Sequence, residues 1–353
     1  MSRYFIHIGY HKTATTFLQD YLFSNHEDIF YLGKATNYPR PKIIELFHNL
    51  YESSDSEFDI KKNKNLLKEI LQTNDKHSNL IGLSDEGLSG GFDWFGGLTL
   101  FVAKRIYDVF PVGEVKIIIG IREPVSFLNS MYAEYVKRGG VLSFHDLISS
   151  PLSPGRHLIH KVKYFNLVSE YIKYFGINNI HIYLYEEIQQ NADKVKSDIE
   201  DFLKISKSNI SLNSIAKNNT SPSPFGLYIM RLLNRFFYTV DNYDSFTIFL
   251  YKILARVLQA ALKINFIAKI KKLKSIKRWD IYFLEIYLAD KIHSAVMNFI
   301  FKIDFLLFKK LIKTNISNIN NKDKNIIILS TQESNYSLYK LLKKKIIINK
   351  YMN

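Results

Sequence analysis

The chain has 353 residues, 47% of them apolar, with 48 Lys and Arg against 33 Asp and Glu, a net charge of +15. The apolar fraction supports a buried core and excludes a disordered chain, while the lack of Cys excludes disulfides without fixing a compartment. The length suits one large α/β domain with insertions or two domains, and the positive balance suits an anionic partner such as a nucleic acid, an anionic bilayer or a charged substrate, although part of it belongs to a general Lys, Ile and Asn bias.

The first predicted element is a strand over residues 3–8 that ends at Gly9. Tyr10, His11 and Lys12 follow, then Thr13-Ala14-Thr15-Thr16, then an apolar helical pattern over 14–25 ending its first turns at Gln19. A strand, a tight turn and a helix N-terminus offer unpaired N–H groups and the positive end of a dipole, which suits a phosphate. Lys12 adds a full charge, and Thr13, Thr15 and Thr16 add hydroxyl donors. The segment is not the G-x-x-x-x-G-K-[ST] loop of nucleotide triphosphatases, because no Gly directly precedes Lys12. His7 reads as a packed or hydrogen-bonded strand residue. His11 reads as a turn-lining residue or a base.

Helices over 42–52 and 62–73 lead to a strand over 79–83. It runs into Ser84-Asp85-Glu86-Gly87-Leu88-Ser89-Gly90-Gly91, a Gly-rich loop with two carboxylates, followed by Phe92, Trp94 and Phe95, which suit either sugar stacking or packing. A helix over 98–109 precedes the strand 115–121. Arg122 closes that strand, and Pro124 opens a helix over 124–137 that carries Ser130. An Arg at the C-terminal end of a parallel strand stands where open α/β sheets bind ligands, and an Arg fork with a hydroxyl suits a phosphate monoester. After a helix over 160–175, a strand over 179–184 ends in Tyr185-Glu186-Glu187, and a helix over 191–203 follows.

Alternation of strands and helices implies a parallel α/β sheet. Ser221-Pro-Ser-Pro224 marks a boundary. The rest reads as helical, near 225–238, 246–268, 279–312 and 333–344, with an Asn-rich linker over 315–325. The expected architecture is a P-loop-like parallel sheet flanked by helices over residues 1–220, with a mainly helical region over 221–353 on the acceptor side or facing a membrane.

The first loop, His7-Ile8-Gly9-Tyr10-His11-Lys12-Thr13-Ala14-Thr15-Thr16-Phe17-Leu18-Gln19, resembles the 5′-phosphosulfate loop of sulfotransferases that use 3′-phosphoadenosine-5′-phosphosulfate (PAPS). It departs at Ala14, where that family has Gly. Arg122 with Ser130, eight positions on, is similar to the family's 3′-phosphate pair, and the strand ending in Tyr185-Glu186 is similar to the strand that follows it. The segment from Glu333 looks like the final helix of bacterial members. The resemblance covers most of residues 1–205 and is thin beyond. It implies a PAPS-dependent enzyme close to bacterial carbohydrate sulfotransferases. His11, Lys12, Thr13, Ala14, Thr15, Thr16, Arg122, Ser130 and Tyr185 would bind the donor. Lys12 and Glu86 would be catalytic, with Glu86 as the base because the carbohydrate branch places a Glu just after such a strand. Lys217 to Ser221 would be a loop closing over the nucleotide.

No metal is expected, since no paired His, Asp or Glu spacing suggests one. The expected acceptor is a glycan or glycolipid, not a nucleic acid. No signal peptide is visible in the sequence, so the expected location is cytoplasmic. Phe246 to Ala268 comes nearest to a membrane span, but Lys252, Arg256 and Lys263 interrupt it. With the basic run Lys269 to Arg278, it suits a core helix and a solvated turn, or an interfacial helix on an anionic bilayer. Two rival classes stay open: a nucleotide-triphosphate kinase or ATPase using Asp85 and Glu86 for magnesium, and a basic module on a membrane surface.

Overall fold

The computed structural model describes residues 3–33, 41–72, 80–90, 100–111, 113, 115–149, 156–213, 222–235, 298, 302 and 319–342. Five strands form one parallel sheet: β1 (Arg3–Gly9), β2 (Ile29–Tyr31), β3 (Leu80–Ser84), β4 (Val115–Ile121) and β5 (Ile180–Leu184), in the order β2-β3-β1-β4-β5. Parallel strands covered on both faces are continuous apolar runs, and Tyr4-Phe5-Ile6 and Ile117-Ile118-Ile119 are such runs, all buried. Gly9 pairs with Gly120 across β1 and β4. The chain runs from β1 out to the edge strand β2, returns to β3 beside β1, and then crosses β1 to β4 and on to β5. The C-terminal ends of β1 and β4 therefore flank the switch point where ligands bind in open sheets.

The helices follow in chain order: α1 (Thr15–Leu18), α2 (Pro41–Tyr51), α3 (Ile60–Gln72), α4 (Phe101–Val109), α5 (Pro124–Lys137), α6 (Phe144–Ser149), α7 (Arg156–Lys161), α8 (Tyr164–Phe175), α9 (Tyr185–Leu203), α10 (Pro224–Asn234) and α11 (Asn321–Leu342). α1 continues as a π-helical turn over Gln19–Phe23. On one face of the sheet Phe5, Ile118 and Tyr183 pack with Leu18 and Phe23 and with Ile188, Val195 and Ile199 of α9. α8 lies on β4, with α4 and α11 against α8.

The chain divides into two compact units. One comprises Met1–Leu128, Ile148–Asn219 and Asn321–Asn353, and the other comprises Asn129–Leu147 and Thr220–Asn320. The second opens after Leu128, within α5. Within it, buried Asn234 of α10 donates to the Val136 and Gly140 carbonyls at 2.7 and 2.8 Å, and the Tyr135 hydroxyl accepts from the Val141 and Leu142 amides.

Several expectations shift in detail. The predicted helix over 160–175 is two helices, α7 and α8, divided at Val162 and Lys163. The Asn-rich linker ends early, because α11 already begins at Asn321. α9 begins at Tyr185 and breaks at Asn191 (φ −157°, ψ 88°). The Asn191 side chain accepts the Lys194 amide there, so its second half starts with its own cap where the sequence places a helix start. The aromatic run from Phe92 to Phe95, the loop Lys217–Ser221, the segment 246–278 and the predicted helix over 279–312 lie outside the described residues, apart from 298 and 302. Among the described residues, no helix is long and apolar enough to cross a membrane.

Candidate active site

The loop after β1 turns on two left-handed residues, Lys12 (φ 64°) and Ala14 (φ 65°, ψ 27°). Alternation of left- and right-handed residues turns successive N–H groups to one side and makes an anion-binding concavity. The loop is tied from within. Thr13 donates its amide (3.3 Å) and its hydroxyl (2.6 Å) to the Tyr10 carbonyl, and Thr15 Oγ1 reaches the same carbonyl at 3.4 Å. Thr13 and Thr15 are buried and their hydroxyls turn inward, leaving Thr16 exposed. The first amides of the helical run that starts at Thr15 have no intrahelical acceptor. Gly9 makes this packing possible, since a methyl group there would stand 1.8 Å from Thr15 Oγ1.

Ala14 holds a conformation that costs a residue with a Cβ about 1–2 kcal/mol. Part of that is offset because Ala restricts the unfolded chain more than Gly does. Ala14→Gly is therefore expected to raise stability by up to about 1 kcal/mol, read as a higher midpoint in thermal unfolding. A lowered midpoint would mean that the Ala14 methyl, packed on the core cluster, outweighs the backbone term.

Arg122 stands at the end of β4, beside this loop. Its NH1 donates to the Lys12 carbonyl at 3.1 Å, and its Nε donates to Ser126 Oγ at 2.9 Å. Its guanidinium lies 4.2 Å from the centre of the Tyr185 ring, a cation–π contact. Guanidinium has five N–H donors, and these two bonds leave others for an anion. Glu123 caps α5, accepting from the Val125 and Ser126 amides at 2.8 and 2.6 Å. Burial raises its pKa against the opposing pull of those amides. Ser130 is half-buried on α5 beyond Leu128, in the second unit. Ser126 is the hydroxyl on Arg122, and sequence reasoning missed it. Its signal was its place one helical turn after Arg122.

β3 delivers the acidic residues. Asp85 accepts the Gly87 amide at 2.6 Å and so caps the short 3₁₀ turn over Glu86–Ser89. Glu86 Oε2 meets His11 Nδ1 at 2.9 Å, with the two side chains 25% and 11% exposed. The two bases weighed in the sequence are thus one hydrogen-bonded pair, reaching the loop from two strands.

A buried polar chain runs beneath the loop. His7 Nδ1 is 2.8 Å from Ser84 Oγ and His7 Nε2 is 3.0 Å from the Tyr183 hydroxyl. Gln19 Nε2 donates to Ser84 Oγ at 2.9 Å, and the Tyr183 hydroxyl donates to the Thr13 carbonyl at 3.2 Å. Burial pushes the His7 pKa down to about 3, so its ring is neutral. A cleft of about 220 Å³ lined by Tyr107, Phe110, Val115 and Tyr174 lies at the opposite, N-terminal end of β4, away from these groups.

No family model matches the sequence, and no curated protein matches it. Among solved structures, the chain is similar to a sulfotransferase from Alicyclobacillus acidocaldarius, at 19% identity over 67% of this chain and 93% of that one, with a TM-score of 0.45. It is also similar to the sulfotransferase domain from the curacin biosynthetic pathway, at 14% identity over 62% and 78% of the two chains and a TM-score of 0.39. A sulfotransferase from Mycobacterium avium is similar at 14% identity over 73% and 76%, with a TM-score of 0.38.

Proposed function

We propose that the protein transfers a sulfuryl group from PAPS to an acceptor hydroxyl on a glycan or glycolipid. The observation that carries this reading is the bond from Arg122 to the Lys12 carbonyl. It brings the loop after β1 to the C-terminal end of β4, which supports reading the two segments as one donor site. A donor with phosphates at both ends of a ribose needs two such cationic centres.

In this reading Lys12, the amides from Ala14 to Thr16 and the Thr16 hydroxyl hold the 5′-phosphate. Thr13 and Thr15 shape the loop, and His11 lines it. Arg122 holds the 3′-phosphate, with Tyr185 beside it. The acceptor hydroxyl loses its proton to Glu86 as its oxygen bonds to sulfur. The bond from sulfur to the bridging phosphate oxygen breaks in line, and Lys12 meets the charge that gathers on that oxygen. Positioning and electrostatics suffice, and no metal enters the scheme. Residues 1–220 carry the donor site in a cytoplasmic enzyme. The region after 220, α11 apart, serves the acceptor or an anionic membrane surface.

Titration calorimetry with adenosine 3′,5′-bisphosphate in the absence of magnesium tests the donor site. Wild type is expected to bind it and to prefer it over ATP. Arg122→Ala is expected to weaken binding about 10–100-fold, the worth of charge-assisted hydrogen bonds. Tighter binding of ATP in a parallel titration with magnesium would overturn the reading in favour of a kinase or ATPase.

A further inference from the structure

The buried chain beneath the loop has one consistent direction. The Thr13 carbonyl only accepts, so the Tyr183 hydroxyl proton points to it. The Tyr183 oxygen then accepts from His7, which puts the ring proton on Nε2. In a neutral imidazole that leaves Nδ1 as an acceptor for the Ser84 hydroxyl proton, and Ser84 Oγ accepts from Gln19. Every hydroxyl and both ring nitrogens in this chain are satisfied. His7, Ser84, Tyr183 and Thr13 are buried. Two strand glycines make room for it: a methyl at Gly120 would stand 2.3 Å from the Tyr183 hydroxyl, and Gly9 admits Thr15.

We propose that His7 and Tyr183 are positioning residues that fix the Thr13–Ala14 peptide plane of the anion loop. A trans peptide directs its C=O and N–H to opposite sides. Tyr183 draws the Thr13 carbonyl toward the core, so the Ala14 N–H faces away from it, on the side where Lys12 and Ala14 curve around an anion. Strand β1 thus sets the loop through a side chain three residues before it begins. The inference rests on the reading of this loop as the donor phosphate site. It adds that the loop's donors are aimed from below, by neutral imidazole and phenol groups that never touch the substrate.

Two substitutions of one residue separate positioning from packing. His7→Gln keeps a donor near the Nε2 position, toward Tyr183. His7→Asn keeps a polar group near the Nδ1 position, toward Ser84, and loses the link to Tyr183. Both are expected to lower the thermal midpoint. His7→Asn is expected to weaken adenosine 3′,5′-bisphosphate binding about tenfold and to speed hydrogen exchange of the amides from Lys12 to Thr16. His7→Gln is expected to stay within about threefold of wild type. Tyr183→Phe is expected to match His7→Asn and decides the matter if that variant does not fold. Equal affinities and equal loop exchange in the two His7 variants would overturn the proposal. A wild type that binds no bisphosphate would instead overturn the donor-site reading, and the exchange comparison would still decide whether His7 sets the loop.

Discussion

Glu86→Gln is expected to lower the rate of sulfuryl transfer about 10²–10⁴-fold, the range for loss of a general base, with bisphosphate affinity unchanged. Gln keeps the length and a carbonyl oxygen that can still accept from His11 if its Nδ1 carries the proton, but it cannot take a proton from an acceptor. The capped 3₁₀ turn that carries residue 86 does not depend on the carboxylate, because Asp85 supplies the cap. The comparison is made by following labelled sulfate from PAPS onto a panel of oligosaccharides. His11 and Glu86 are 2.9 Å apart, so the acceptor's proton has two bases within reach. His11→Gln is therefore the companion variant. If it falls further than Glu86→Gln, the imidazole is the base and the carboxylate orients it. If neither variant loses rate, the pair is not the proton acceptor.

Lys12→Ala is expected to cost about 10²–10³-fold in turnover, the usual effect of removing one group that stabilises charge in the transition state. The loop itself is expected to survive. The backbone of residue 12 is held through its carbonyl by Arg122, and Ala at φ 64° is no worse placed than Lys. Stability is expected to change by less than about 0.5 kcal/mol. A loss of rate with an unchanged unfolding midpoint therefore reports the missing charge. Unchanged turnover would remove Lys12 from the chemistry.

The parts of this fold that were legible in the sequence are those with strong local signals. β1, β3, β4 and β5 are short apolar runs bounded by Gly, Ser, Arg or Tyr, and each lies within a residue or so of its predicted place. Pro124 fixes the start of α5, and Arg122 announces itself by ending a buried strand in a charge. β2 gave no signal because three residues at a sheet edge have no period to detect. The start of α11 was hidden for another reason. Asn and Asp are weak helix formers, and tertiary burial of Asp323 and Ile327 overrides that preference.

Within the site, the pairing of His11 with Glu86 and the contact of Tyr185 with Arg122 exist only once β1, β3, β4 and β5 lie side by side. Neither leaves a trace in local sequence. The resemblance paired Arg122 with Ser130, and the structure adds a hydroxyl bonded to Arg122 itself, Ser126. Thr13 and Thr15 looked like phosphate donors by residue type, but the tight turn gives them the Tyr10 carbonyl instead. His7 was legible as a buried polar residue and not as one link of a chain, because its partners lie on other elements.

The helix Asn321–Leu342 belongs to the sheet's own unit, although the stretch Thr220–Asn320 separates it from the rest of that unit. It buries Ile327, Thr331 and Leu338, and its Ser334 accepts the Phe165 amide at the start of α8. A ribosome that has just released Leu203 has therefore delivered all five strands of this sheet but not the helix that covers α8. At about 5–20 residues per second, the intervening stretch takes several seconds to translate. Throughout that interval the side of α8 that this helix covers stays open to water, and the fold of the sheet's unit is completed only when the last helix arrives.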